Sequence, residues 1–189
     1  MYTNNIGLIL GFHGCSRELA DRVIMGTDDF RPSRKSYDWL GNGIYFWDRD
    51  PVRAYEFAVQ KKSKEPSVVG AVIDPKRCFD IRCRNSQEML RTAYRRYCDD
   101  MGCPKERNSS YEEGIPLRRN LDCVIIEAAC KMYSKNRRTF DSVIGTFFEG
   151  KEVYPRAGMR DRTHTQVCVR NLDCILGYFR PKGEKDHLQ

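Results

Sequence analysis

The alternation of apolar and polar positions divides this chain into a run of strands and helices. Ile6–His13 reads as a buried strand, with Ile6, Leu8, Leu10 and Phe12 on one face and Gly7, Ile9, Gly11 and His13 on the other. Ser16 is placed to cap a helix over Arg17–Met25, where Leu19, Ala20, Val23 and Ile24 recur at helical spacing and Gly26 closes the run. The polar stretch Thr27–Asp38, with Pro32, Ser33 and Ser36, predicts a loop. In Gly43–Trp47 a second strand puts Ile44 and Phe46 on one face and Gly43, Tyr45 and Trp47 on the other. Asp50-Pro51 is a helix start, and the helix runs through Ala54, Phe57 and Ala58 to about Ser63.

Ser67–Ile73 reads as a strand, Cys78–Ile81 as a short one, and Ser86–Cys98 as a helix with Met89, Leu90, Ala93, Tyr94 and Tyr97 on one face. Gly102–Arg119 is polar and predicts a loop. Leu121, Val124, Ile125, Ala128, Ala129 and Met132 trace an amphipathic helix. Ser142–Phe148, Gln166–Arg170 and Ile175–Phe179 complete the strands, and Pro181–Gln189 is a polar tail. This order predicts the α+β class, as one domain over 1–180 with a tail over 181–189.

A length of 189 residues supports one sizeable core. The net charge of +7 favours polyanionic partners, nucleic acid first among them, and also suits a phosphate-bearing small molecule. The nine cysteines form no C-x-x-C pair, and their odd number speaks for reduced thiols. Cys78 with Cys83 and Cys98 with Cys103 stand wider apart than zinc-binding pairs, so no metal is expected. Met1–Asn5 is polar, and no apolar run approaches membrane-spanning length. The expected setting is the cytoplasm, or the cytosol of a cell into which the protein is delivered, with no membrane partner.

Two short stretches carry the candidate chemistry: Gly11-Phe-His-Gly14 and Gly41-Asn-Gly-Ile-Tyr-Phe-Trp47. Glycine beside a histidine removes bulk and lets another molecule approach the backbone. Taken singly, His13 and Tyr45 could be ordinary core residues. Together with the Ala-rich helix that follows, the two motifs resemble the ADP-ribosyltransferase superfamily, in its branch with diphtheria toxin and the poly(ADP-ribose) polymerases. That branch carries a His–Tyr–Glu triad on a split mixed sheet.

The resemblance implies NAD as co-substrate, with His13 on a ribose hydroxyl of the adenosine half, backbone groups of Gly14 on the nicotinamide amide and Tyr45 stacked on its ring. It implies Gln166, in Thr163-His-Thr-Gln-Val-Cys-Val-Arg-Asn171, at the glutamate position. Gly43 belongs to the same cofactor-binding turn, and Arg31 and Arg34 of the loop are candidates for the pyrophosphate. The polymerases' serine and second stacking tyrosine fall at Arg53 and Glu56 here, with Tyr55 and Phe57 as neighbours that could stack instead.

An amide at position 166 can hydrogen-bond a ribose hydroxyl but cannot act as a general base. In the resembled family chain elongation depends on that carboxylate, so the resemblance implies single-unit transfer as the expected mode. Glu149, in the turn-rich Phe147-Phe-Glu-Gly150, is the candidate replacement carboxylate, and His164 a second candidate base. The expected activity is mono-ADP-ribosyl transfer to a macromolecule, nucleic acid slightly ahead of protein. Candidate settings are a bacterial or phage-type effector, or a toxin with an antitoxin or inhibitor protein as partner. The alternatives are a catalytically silent module that binds NAD or ADP-ribose, and a nucleic-acid-binding module without NAD. The last lacks any helix-turn-helix or RNA-recognition signature.

Overall fold

The computed structural model of the protein describes residues 7–112, 115–134 and 139–182. Its strands are β1 (Ile9–Ser16), β2 (Ile44–Asp48), β3 (Pro66–Ile73), β4 (Cys78–Asp80), β5 (Asn108–Glu112), β6 (Ile115–Arg119), β7 (Ser142–Phe147), β8 (His164–Val169) and β9 (Ile175–Phe179). Its helices are α1 (Arg17–Ile24), α2 (Pro51–Gln60), α3 (Arg84–Met101) and α4 (Asn120–Met132). Seven strands form one mixed sheet in the order β4-β7-β8-β2-β1-β3-β9, in which only the β4–β7 pair is parallel. The class is α+β. None of the described helices is long and apolar enough to cross a membrane.

Local chemistry accounts for the helix starts. Ser16 Oγ accepts from Leu19 N–H at the head of α1. Asp50 caps α2 by accepting from Arg53 N–H, with Pro51 in the first turn. α1 packs on one face of the sheet over Ile9, Cys15, Val69 and Ala71. α2 packs on the opposite face over Phe12, Trp47 and Val68. On that same face α3 and α4 cover Phe79, Val143, Phe147 and Cys168. The middle of this face, over β2 and β8, therefore lies between two groups of helices.

Three expectations change. β1 begins at Ile9 and runs on to Ser16, and Leu8 and Leu10 are 64 % and 46 % exposed, so the face they share with Phe12 is buried only from Phe12 onward, where α2 covers it. Ile6 lies outside the described residues, as do 1–5 and most of the tail. The stretch expected to be a loop before α4 holds an antiparallel hairpin, β5–β6. Trp39 Nε1 donates to its Leu117 carbonyl at 3.0 Å, and Asn108 Oδ1 accepts from Leu121 and Asp122 N–H at the start of α4. The helix expected over Ser86–Cys98 is longer at both ends.

A largely buried ion pair joins α4 to the sheet. Arg170 donates from Nη1 and Nη2 to the two carboxylate oxygens of Glu127 at 2.5 and 2.9 Å, and Glu127 Oε1 also accepts from Asn42 N–H at 2.7 Å. The carboxylate thereby clamps the turn in which Gly41 takes a φ of +79°. Burial alone would raise the Glu127 pKa, but the Arg170 and Asn42 hydrogen bonds outweigh it and hold it below its ordinary 4.5. A carboxylate lowered in this way contributes stability above its unfolded pKa and loses it as pH falls through the folded value. Glu127→Ala is expected to lower unfolding stability by about 3 kcal/mol, because Arg170 then stays buried without its partner. In urea titrations at decreasing pH, the wild type should lose stability below about pH 4.5 more steeply than Glu127→Gln.

Candidate active site

The site begins where two central strands stop pairing. β1 and β2 are in register only at Gly11↔Asp48 and Phe12↔Trp47. The Leu10 carbonyl accepts from Arg49 N–H at 2.8 Å, so by strand alternation Phe12 and Gly14 also turn their peptide groups toward β2. Past Phe12 the ladder ends, and the His13 ring takes over. Its Nδ1 lies 2.7 Å from the Tyr45 carbonyl. A carbonyl only accepts, so Nδ1 carries the proton and Nε2 is left as an acceptor. Burial lowers the His13 pKa and the bond to Tyr45 only partly opposes it, so the ring is neutral at pH 7. Phe30, buried at the root of the Thr27–Asp38 loop, lies against the ring at 4.1 Å between centroids.

Gly14 has a second constraint. A Cβ there would sit 1.8 Å from the Ala54 carbonyl oxygen of α2, a backbone atom that cannot step aside. Glycine is thus what lets α2 seat on β1 at the edge of the gap.

The expected residues do not share one face. His13 lies with Phe46 and Phe30 on the α1 side. Tyr45 and Gln166 lie on the other side, where the registers Tyr45↔Cys168 and Trp47↔Gln166 put them beside each other's strands. The Tyr45 hydroxyl is committed to the turn before it, donating to the Gly41 carbonyl at 2.6 Å and accepting from Leu40 N–H at 2.9 Å. Burial holds its pKa well above the ordinary tyrosine value, so it donates no proton to chemistry.

Gly43 is also occupied. Its N–H and carbonyl both pair with Ser33, and a side chain would strike Cys168 Sγ and the Val169 carbonyl. That pairing draws the Thr27–Asp38 loop across β2, with Arg31 and Arg34 exposed on it. Tyr55 is half-buried in the cluster under α2, and Phe57 tilts against Trp47 at 5.0 Å.

Five residues singled out separately in the sequence meet at the near end of β8. Arg53, in the first turn of α2, donates to Glu149 Oε2 at 2.9 Å and to Glu56 Oε2 at 2.6 Å. Glu149 Oε2 lies 3.4 Å from His164 Nδ1. His164 Nδ1 donates to the Arg162 carbonyl at 2.8 Å, which fixes the tautomer and makes Nε2 the acceptor for the Gln166 amide at 3.0 Å. Burial lowers the His164 pKa, so the ring stays neutral with both nitrogens engaged. As it stands His164 is a support for Gln166 rather than a base.

Sequence reasoning passed over the rings around this cluster. Trp39 stacks on His164 at 6.1 Å, Phe147 is 5.9 Å away, and Trp47 closes the opposite side at 6.5 Å with its Nε1 buried and without a partner among the described residues. Their apolar character marks them only as core residues. The Arg53–Glu56 spacing of three on a helix was the visible hint of an ion pair.

Gly14→Ala is expected to lose about 2 kcal/mol or more of unfolding stability, since α2 must shift to admit the methyl group. Gly177→Ala, where a Cβ meets nothing within 4 Å, should stay within about 0.5 kcal/mol of wild type in the same denaturation series.

The chain matches no protein-family model and no curated protein.

Proposed function

We propose that the protein is a mono-ADP-ribosyltransferase. It cleaves NAD between nicotinamide and ribose and transfers ADP-ribose to a macromolecular acceptor, nucleic acid ahead of protein. The observation that carries this reading is the interrupted β1–β2 ladder, which leaves the Gly14 peptide groups turned toward β2 beside a neutral His13 with an acceptor Nε2. A carboxamide needs one acceptor and one donor, and a peptide unit offers both. NAD would pass through the gap, with its adenosine half on the His13 side and its nicotinamide half on the side of Tyr45 and Gln166.

The residues then have separate tasks. His13 Nε2 accepts from a hydroxyl of the adenosine ribose, and Arg31 and Arg34 lie on the loop above for the pyrophosphate. The ring of Tyr45, fixed through its hydroxyl, offers a face for stacking. Gln166, aligned by His164, donates or accepts at a hydroxyl of the reacting ribose. When the glycosidic C–N bond breaks, its electron pair returns to the nicotinamide ring, which leaves neutral and needs no acid. The acceptor's oxygen or nitrogen forms the new bond to the ribose carbon as positive charge builds there, and its proton passes to Glu149 or to water. Glu149 is ion-paired with Arg53 and must loosen that bond to take it.

A second reading is a silent module that binds NAD or ADP-ribose without turnover. It is favoured by the uncharged Gln166 and by the neutralisation of Glu149 by Arg53. Toxin, effector and antitoxin settings belong to the first reading alone.

Incubation with NAD, followed by nicotinamide release and by label transfer to a lysate digested separately with nuclease and protease, distinguishes them. Gln166→Ala should lower nicotinamide release about a hundredfold or more while an NAD-induced rise in melting temperature survives. His13→Ala should abolish that rise. Because the His13 pKa is lowered, the acid limb of turnover should fall below its ordinary 6.5. Full turnover in both variants would remove the site assignment, and a melting shift without nicotinamide release would leave the silent module.

A further inference from the structure

A cavity of about 470 Å³ opens between α3, α4 and the β7 end of the sheet, within the size range of ligand pockets. Trp39, Tyr94 and Phe147 line it with π faces, and Leu90 and Ile125 with aliphatic walls. Three guanidinium groups, those of Arg91, Arg95 and Arg119, meet one carboxylate, Asp122, around it. The Arg119 guanidinium lies 4.5 Å from the Trp39 ring and 4.8 Å from the Phe147 ring, bonds Asp122 through Nη1, and keeps a buried Nε without a partner among the described residues. Trp39 is also the ring stacked on His164, so the cavity and the candidate active site share a wall.

The basic and aromatic pattern continues outward. Tyr37 carries Lys35 Nζ at 5.8 Å and the Arg118 guanidinium at 5.6 Å over its ring. Arg118 and Arg119 are neighbours on β6. The ledge is tied to the hairpin by Trp39 Nε1 on the Leu117 carbonyl and to the start of α4 by Asn120 Nδ2 on Ser36 Oγ.

We propose that this cavity is a slot for an unpaired base of a single-stranded nucleic acid, and that Lys35, Tyr37 and Arg118 hold the strand that delivers it. The inference rests on the transferase reading for its biological sense, naming the acceptor's chemical class and its entry route. A hydrocarbon ligand would suit the walls and engage none of the guanidinium groups, of which Arg119 is paired with Asp122 and Arg91 with Glu88. An acidic peptide would suit the guanidinium groups and leave the π faces uncovered. A nucleotide supplies both a flat ring and a phosphate, and stacking of this kind tolerates any base. The net charge of +7 has the matching sign.

The test titrates the full chain with a short mixed-sequence single-stranded DNA, read by strand anisotropy and by tryptophan emission, with the fully paired duplex as a second arm. The chain has two tryptophans, and Trp47 is 3 % exposed beneath α2, so a change in emission reports Trp39. The single strand should bind more tightly than the duplex and quench the emission, and Trp39→Phe should remove the quench. Leu90→Trp, which fills the slot, should weaken strand binding about tenfold or more by anisotropy. Arg118→Ala and Arg95→Ala, both at the surface, should each weaken binding and reduce its salt slope by about one, and they keep the test intact if Leu90→Trp fails to fold. Equal binding of strand and duplex, an unquenched Trp39, or affinity unchanged in all three slot and surface variants would overturn the slot. Nicotinamide release from NAD without DNA is measured alongside. Its absence together with absence of an NAD-induced melting shift, with quench and strand preference present, overturns the donor-site reading and supports the slot as a nucleic-acid site in its own right.

Discussion

The transferase reading depends on a hydrogen bond that replaces a strand ladder. In the interior of a seven-stranded sheet, adjacent strands ordinarily satisfy each other along their length, because a buried peptide group without a partner costs about 1–3 kcal/mol. Here β1 and β2 pair over two residues and then part. The His13 ring covers the Tyr45 carbonyl, Ser33 covers both peptide groups of Gly43, and the Tyr45 hydroxyl covers Leu40 and Gly41. The β2 side of the gap is thus closed by side chains and loop. On the β1 side the peptide groups of Gly14 are turned toward the same gap.

β8 is fixed from both ends by the same device. At its far end Arg170 pairs with Glu127 of α4, and at its near end the Glu149–Arg53 pair joins the β7–β8 connection to α2. Each pair brings a helix from a different group onto the central strands. Gln166 sits between the two anchors, with Val167 and Val169 packed into the opposite core. The central strands β2 and β8 are therefore held from two sides by different helices.

Much of the fold was legible because it rests on local signals: the Ser16 and Asp50 caps, the alternation in β2 and the helical spacing in α4. The β5–β6 hairpin was not, since Asn108-Ser-Ser110 offers no apolar face and the pairing draws on Trp39 and the start of α4, remote in sequence. The exposure of Leu10 depends on α2 reaching only as far as Phe12. The placement of His13 and Tyr45 on opposite faces is fixed by the Phe12↔Trp47 register, a pairing between strands that neither strand's own pattern contains. Arg53, Glu56 and Glu149 each stood out as isolated oddities, and only the return of the chain after β7 brings Glu149 back to α2.

That cluster also gives a physical reason for an amide at position 166. His164 is buried, its Nδ1–H is held by the Arg162 carbonyl, and Nε2 must be given a donor. Glutamine supplies one without changing the charge. A glutamate in its place could meet Nε2 only by protonating the imidazole or by keeping its own proton. The first course would set a buried imidazolium 3.4 Å from Glu149, drawing that carboxylate away from Arg53 and loosening the seat of α2. The second would leave a neutral acid in place of a neutral amide. With Gln166, the imidazole of His164 stays neutral and Glu149 keeps its ion pair with Arg53.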